Sequence, residues 1–221
     1  MEEQTSIDTK IYGEIHKVVL SSFYKDVSGK DFVSFDEKLN LIDQFLSENL
    51  IEVEVGFFKD FVNNNFELKS LMEIVENPSN SDSETALTII DDFFFEGKIG
   101  LNEKSLLTTM VYYYEEFPFN FSALKNAISD LEIITMEDPN ISIEEKEKLS
   151  KIFSITKSSI EFWEEFEGFL PDKTRRWYVR DLTGAATAIY SGAVGYASMA
   201  FGPWGGAAVL IGVAAFNSAV S

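Results

Sequence analysis

The chain has 221 residues, 45% hydrophobic and 25% charged, which supplies enough apolar surface for a real core and excludes a disordered chain. Its formal charge of −19 lies entirely on residues 1–181, and a surface that acidic repels phosphate backbones, which argues against nucleic acid as a partner. Cysteine is absent, which excludes disulfides, thiolate catalysis and cysteine-ligated zinc.

The first ten residues, MEEQTSIDTK, are acidic and polar where an export signal needs a basic start and an apolar run, so no N-terminal signal peptide is expected in the chain as numbered. Residues 7–25 follow a helical period and carry the only histidine, His16, near Tyr12, Val19 and Phe23. A Ser-x-x-Glu pattern lets the serine oxygen and the glutamate satisfy each other's backbone donors at a helix start, and it occurs at Ser34/Glu37, Ser81/Glu84 and Ser142/Glu145. After the first, Leu39, Ile42, Leu46 and Leu50 recur at helical spacing; after the third, Leu149, Ile152, Phe153, Thr156, Ile160 and Trp163 do the same. Residues 51–76, 83–96, 102–116 and 120–136 fit the period as well, and the breaks fall at 77–83, Gly97, Gly100, Pro118 and 137–142. No stretch sustains a strand's alternation. Residues 1–170 therefore read as an all-α, acidic helical bundle of six or seven helices whose 18 phenylalanines are mainly core.

Little in this body points to a reaction. A Glu-x-x-His metal site needs a glutamate at position 13, where Gly13 stands, so His16 is expected to be a partly buried structural residue. Asp138, Asn140 and Ser142 open like a calcium loop, but Ile143 and Leu149 occupy its glycine and glutamate positions. The adjacent carboxylates Asp91/Asp92, Glu115/Glu116 and Glu164/Glu165 point about 100° apart on a helix and read as solvated faces. No nucleophile, base and electrostatic partner occur together, so the expectation is a non-enzyme with no catalytic residues, no metal and no cofactor.

Composition changes abruptly near the end. Residues 171–181 form a basic and aromatic border: Lys173 with all three arginines of the protein, Arg175, Arg176 and Arg180, and with Trp177 and Tyr178 between them. Cations and amphipathic rings in front of an apolar run are what a membrane interface selects. Residues 182–221 then hold no charge, 11 of the 14 alanines and seven of the 13 glycines. Glycine costs an exposed helix roughly 1 kcal/mol relative to alanine, so close backbone packing must offset it. Gly184, Ala188 and Gly192 share one face, as do Ala208 and Gly212 further on, in the small-xxx-small pattern of helix pairs. Gly202, Pro203, Gly205 and Gly206 are expected to make the turn of a helical hairpin with arms at 182–201 and 205–220.

In plan, an uncharged Gly/Ala-rich hairpin beside amphipathic helices resembles the colicin-type pore formers and glycine-rich bacteriocin tails, and the whole is similar to uncharacterised bacterial proteins with a helical body and a Gly/Ala-rich end. The resemblance covers the layout of the chain and carries no motif residue by residue. It implies membrane lipid as a partner, with the hairpin anchoring or forming a homo-oligomer in a bilayer. The competing expectation is a soluble helical interaction module with a protein partner, in which the tail is buried core or an oligomer interface. A membrane-associated location is favoured over a free one.

Overall fold

The computed structural model describes residues 8–27, 33–77, 81–118, 120–166 and 177–219. Those residues form ten α-helices and no strand: α1 (Thr9–Asp26), α2 (Phe35–Asn49), α3 (Phe57–Asn64), α4 (Phe66–Glu76), α5 (Asp82–Phe95), α6 (Leu101–Glu116), α7 (Phe121–Glu137), α8 (Ile143–Glu165), α9 (Trp177–Tyr190) and α10 (Ala193–Ser218). The body before α9 thus has eight helices. The extra one arises because residues 51–76 divide at Asn65, which ends α3 and whose side-chain oxygen caps α4 by accepting from the Leu68 N–H at 3.0 Å.

Local capping explains where the helices begin. Ser81 and Ser142 form complete reciprocal boxes with Glu84 and Glu145, and Ser34 Oγ accepts from the Glu37 N–H at 3.2 Å. The start of α3 is capped from another helix: the buried Asp43 carboxylate on α2 accepts from the backbone N–H groups of Gly56, Phe58 and Lys59 at 2.5, 2.8 and 3.2 Å. A carboxylate there also complements the positive end of the helix dipole.

The uncharged run is packed inside this body. Helices α9 and α10 make the most extensive pair in the molecule; α9 also touches α4, α5, α6 and α8, and α10 touches α1, α2, α3 and α4. Seven helices therefore enclose the pair, while α7 stands outside on α6 and α8. Every residue from 205 to 218 is buried, as is every residue from 181 to 190. Apolar side chains all round such a helix fit either a protein core or a bilayer, and here the amphipathic helices supply the apolar surroundings.

The hairpin is folded differently from its expected course. The first turn comes at Ser191 and Gly192, where Gly192 takes a left-handed φ of 81°. Gly202 then adopts φ 75° and ψ 178°, and with Pro203 after it bends α10 sharply into two segments, 193–201 and 203–218. Gly205 and Gly206 lie within the second segment. They let it approach the first: a β-carbon on either would meet the carbonyl oxygens of Ala197 or Val194 at 3.0 and 3.1 Å, and other first-segment atoms more closely still.

Gly184 is where the two long arms meet most closely. A β-carbon there would lie 2.8 Å from Asn217 Nδ2, 2.9 Å from Ala214 Cα and 3.0 Å from the Val213 carbonyl oxygen. Two of those atoms are backbone, so Gly184→Ala forces α9 from α10 and lowers stability by about 1–3 kcal/mol. Gly195, on the exposed side of the first segment, has nothing within 4 Å, and Gly195→Ala gains about 0.5–1 kcal/mol of helix preference. Thermal unfolding of the two variants should therefore shift in opposite directions.

Candidate functional site

The polar groups that fasten the hairpin converge at its open end. His16 on α1 and Asp181 on α9 are both fully buried (0% exposed), with His16 Nε2 3.0 Å from Asp181 Oδ1. The other ring nitrogen, Nδ1, lies 3.2 Å from Ser158 Oγ on α8, whose hydroxyl also reaches the Ile155 carbonyl at 2.9 Å. Asp181 Oδ2 accepts from Ser218 Oγ at the end of α10, at 2.6 Å, and from Ser159 Oγ on α8. One carboxylate thus ties α1, α8, α9 and α10 together. Its oxygens are satisfied in the interior because the ring and both hydroxyls surround them. Tyr24 Oη adds a bond to the Ser218 carbonyl at 2.8 Å.

Serine, histidine and aspartate in contact invite comparison with a hydrolytic triad. Here the acid faces Nε2 and the serine faces Nδ1, the reverse of the usual assignment. His16, Asp181 and Ser159 are fully buried and Ser158 is nearly so. The arrangement binds helices together. Among the described residues, no group of three or more histidine, aspartate or glutamate side chains is placed to hold a metal ion.

Further fasteners run along the hairpin. Arg180 Nε donates to Asp82 Oδ1 at 3.0 Å on α5, so this arginine of the expected border lies in a largely buried ion pair. Lys173, Arg175 and Arg176 lie outside the described residues, and Trp177 and Tyr178 open α9. Tyr190 Oη, at the closed end, donates to Glu103 Oε1 at 3.0 Å. Lys38, 1% exposed, pairs with Glu76 at 2.6 Å and sits 5.6 Å from the Phe216 ring centre; burial pulls its ammonium below the ordinary lysine range.

Burial also pushes two phenols up: Tyr12 to about 12, with Glu147 adding to the effect, and Tyr190 upward with Glu103 adding. Because their folded values exceed the unfolded one, the stability they contribute is complete below about pH 10 and is lost as pH rises toward and through the folded values. In an ultraviolet titration of the eight tyrosines, two should ionise late and together with unfolding.

Of the expected packing residues, Gly184 and Ala188 lie buried on α9, Gly192 forms the turn, Ala208 is buried on α10, and Gly212 meets the Phe58 ring of α3. The phenylalanine clusters divide: Phe58, Phe61 and Phe93 are core, while Phe57 is half-buried and Phe95 exposed. Sequence reasoning missed Asp181, Ser159 and Ser218; the only signal was that Asp181 is the last charge before forty uncharged residues.

Among the described residues, α10 is the one helix long and apolar enough to cross a membrane, with a mean hydropathy of 1.6 over its best window, 67% of which is buried. Core helices of soluble proteins have the same character. Thr156 Oγ1 on α8, Thr187 Oγ1 on α9 and both side-chain amide atoms of Asn217 on α10 are buried with no hydrogen-bond partner among the described residues. Compared with protein-family models, curated proteins and solved structures, the chain matches none.

Proposed function

We propose that this is a non-enzymatic, membrane-associating protein in its sheathed form, an acidic helical shell that stores an uncharged hairpin for contact with a bilayer, where it anchors or oligomerises. The observation that carries this reading is that polar side chains of the hairpin itself, Thr187 and Asn217, are buried with no hydrogen-bond partner among the described residues. Each unpartnered buried group costs about 1–3 kcal/mol. A permanent core has little reason to retain such groups on helices built mainly of small and aliphatic residues. The plan-level likeness to colicin-type and bacteriocin-type hairpins supports the same reading.

Acid is the expected trigger. The charge of −19 repels anionic lipid and shrinks as carboxylates are neutralised. Hydrogen bonds from Ser81 hold Glu84, from Lys148 hold Glu144, and from Ser142 hold Glu145 below the usual carboxylate range. Groups lowered in this way support the fold above that range and withdraw support as pH falls, which loosens the starts of α5 and α8.

A second reading rests on a specific observation too. The complete burial of 205–218 and the His16–Asp181 clasp suit a soluble interaction module whose hairpin is permanent core. Flotation of the full chain with phosphatidylcholine and phosphatidylglycerol vesicles at about pH 7 and about pH 4.5 separates the two. The sheathed-hairpin reading expects flotation that strengthens in acid, with dye release distinguishing a pore from an anchor. A chain that stays with the soluble fraction under all four conditions favours the module.

A further inference from the structure

The first segment of α10, residues 193–201, brings the hairpin to the surface with large apolar side chains: Met199 is 83% exposed, Tyr196 61% and Phe201 56%. Phe66, at the start of α4, is 88% exposed beside them. A cleft of about 650 Å³ on this face is floored by Phe57 and Phe61 of α3, whose rings lie 5.0 Å from Phe201 and 6.1 Å from Tyr196. Phe57 and Phe201 also wall an adjoining cleft of about 410 Å³ that exposed Val55 borders. Exposed aromatic surface on this scale marks a contact site.

The charge of the two clefts selects the occupant. Asp60 lines both, Glu52 and Glu54 rim the second, and no lysine or arginine lines either, Lys59 included. All three carboxylates are exposed and have no cationic partner among the described residues. On the other flank of the same segment the lysines are already matched: Lys98 with Glu67 and Glu96, Lys148 with Glu144, and Lys151 with Glu147. The aromatic face thus carries uncompensated negative charge beside ring faces, and carboxylates and ring faces attract the same group, an ammonium or a guanidinium. Anionic lipid is repelled there, and a second copy of this chain brings its own charge of −19 against the same carboxylates. A polypeptide segment with apolar anchors on one side and lysine or arginine along its border complements both features at once.

We infer that this face is the docking site for a cationic amphipathic segment of a protein partner, its apolar side chains seated among Phe57, Phe61, Phe66, Tyr196 and Phe201 and its basic ones on Glu52, Glu54 and Asp60. The inference goes beyond the membrane reading and does not rest on it, because the face is complete while both buried arms of the hairpin remain sheathed. A partner bound there holds the one part of the hairpin that it can reach without opening the shell.

A fluorescein-labelled amphipathic leucine–lysine peptide is the probe, titrated with the full chain at neutral pH and read by anisotropy. It should bind, and a leucine–glutamate peptide of the same length should not. Reversing two charges with Glu52→Lys and Glu54→Lys together should weaken binding by about tenfold at low salt and by less as salt rises, whereas Phe66→Ser should weaken it by about tenfold at either salt. All three side chains are exposed, so both variants should melt with the parent chain. Glu115→Lys with Glu116→Lys, exposed on α6, changes the total charge equally and should have little effect. Binding that falls equally with either double reversal, or that ignores Phe66→Ser, is general attraction to an acidic protein and overturns the docking site, as does the absence of binding or equal binding of the leucine–glutamate peptide. Because the chain has no cysteine, an environment-sensitive dye can be placed on Met199→Cys alone; brightening with phosphatidylcholine vesicles at neutral pH but not with the basic peptide assigns the face to lipid instead. Flotation decides the sheathed-hairpin reading separately, so that reading and the docking site can fail independently.

Discussion

A chain ending at Arg180 will not fold. Removing residues 181–221 takes away Leu182, Ile189, Val194, Val209, Leu210, Ile211, Val213 and Phe216, all buried, and the Asp181 clasp with them. Each such side chain contributes about 1.5–3 kcal/mol by leaving water, and a whole domain is stable by only about 5–15 kcal/mol. The loss therefore exceeds everything that holds the shell together. The truncated chain should show no cooperative thermal transition and should expose its phenylalanines to a hydrophobic dye, whereas the full chain should unfold in one step. A truncation that melts cooperatively would mean that the shell is a domain of its own.

Cutting the clasp should have the next largest effect. Asp181→Ala leaves the His16 ring, Ser159 and Ser218 facing an empty acceptor position in the interior, and removing one member of a buried polar pair costs about 3–5 kcal/mol. His16→Ala leaves the carboxylate buried with only its hydroxyl donors and should cost a similar amount. Since the two residues act on one contact, the double variant should be well short of the sum, with a coupling of about 0.5–3 kcal/mol by denaturant unfolding. Additive losses would show that the residues act separately. In the sheathed-hairpin account the same variants also release the hairpin more readily, so both should bind vesicles at a higher pH than the parent chain.

The starts of α2, α5 and α8 were readable because a serine and a glutamate three residues apart act locally, and the structure uses Ser34, Ser81 and Ser142 as caps. The small-residue logic of the tail was readable for the same reason: only a residue without a side chain fits between Asn217 and the α10 backbone at Gly184. Other features depend on tertiary context. The split at Asn65 involves no glycine or proline; its local signal is the run Asn63, Asn64 and Asn65, residues that favour helix caps, and it is weaker than the breaks at glycine and proline. The turn at Ser191 and Gly192 lies within an unbroken apolar run and was overshadowed by the stronger Gly-Pro signal ten residues later. His16 and Asp181 stand 165 positions apart, and no periodicity links them. Most of all, an apolar helix has one composition whether lipid or protein surrounds it; only the packing of seven helices around α9 and α10 shows which surrounds it in this structure.

Amide hydrogen exchange of the full chain at about pH 4.5, in buffer and then on phosphatidylcholine vesicles, tests the central claim most directly. In buffer α9 and the second segment of α10 should exchange most slowly, because the molecule must open globally to reach them. On vesicles the account predicts that α1, α2 and α8 lose protection as the shell opens while the hairpin keeps its own inside lipid. Exchange that is unchanged in every helix when vesicles are added would contradict it and leave the hairpin as the permanent core of a soluble protein.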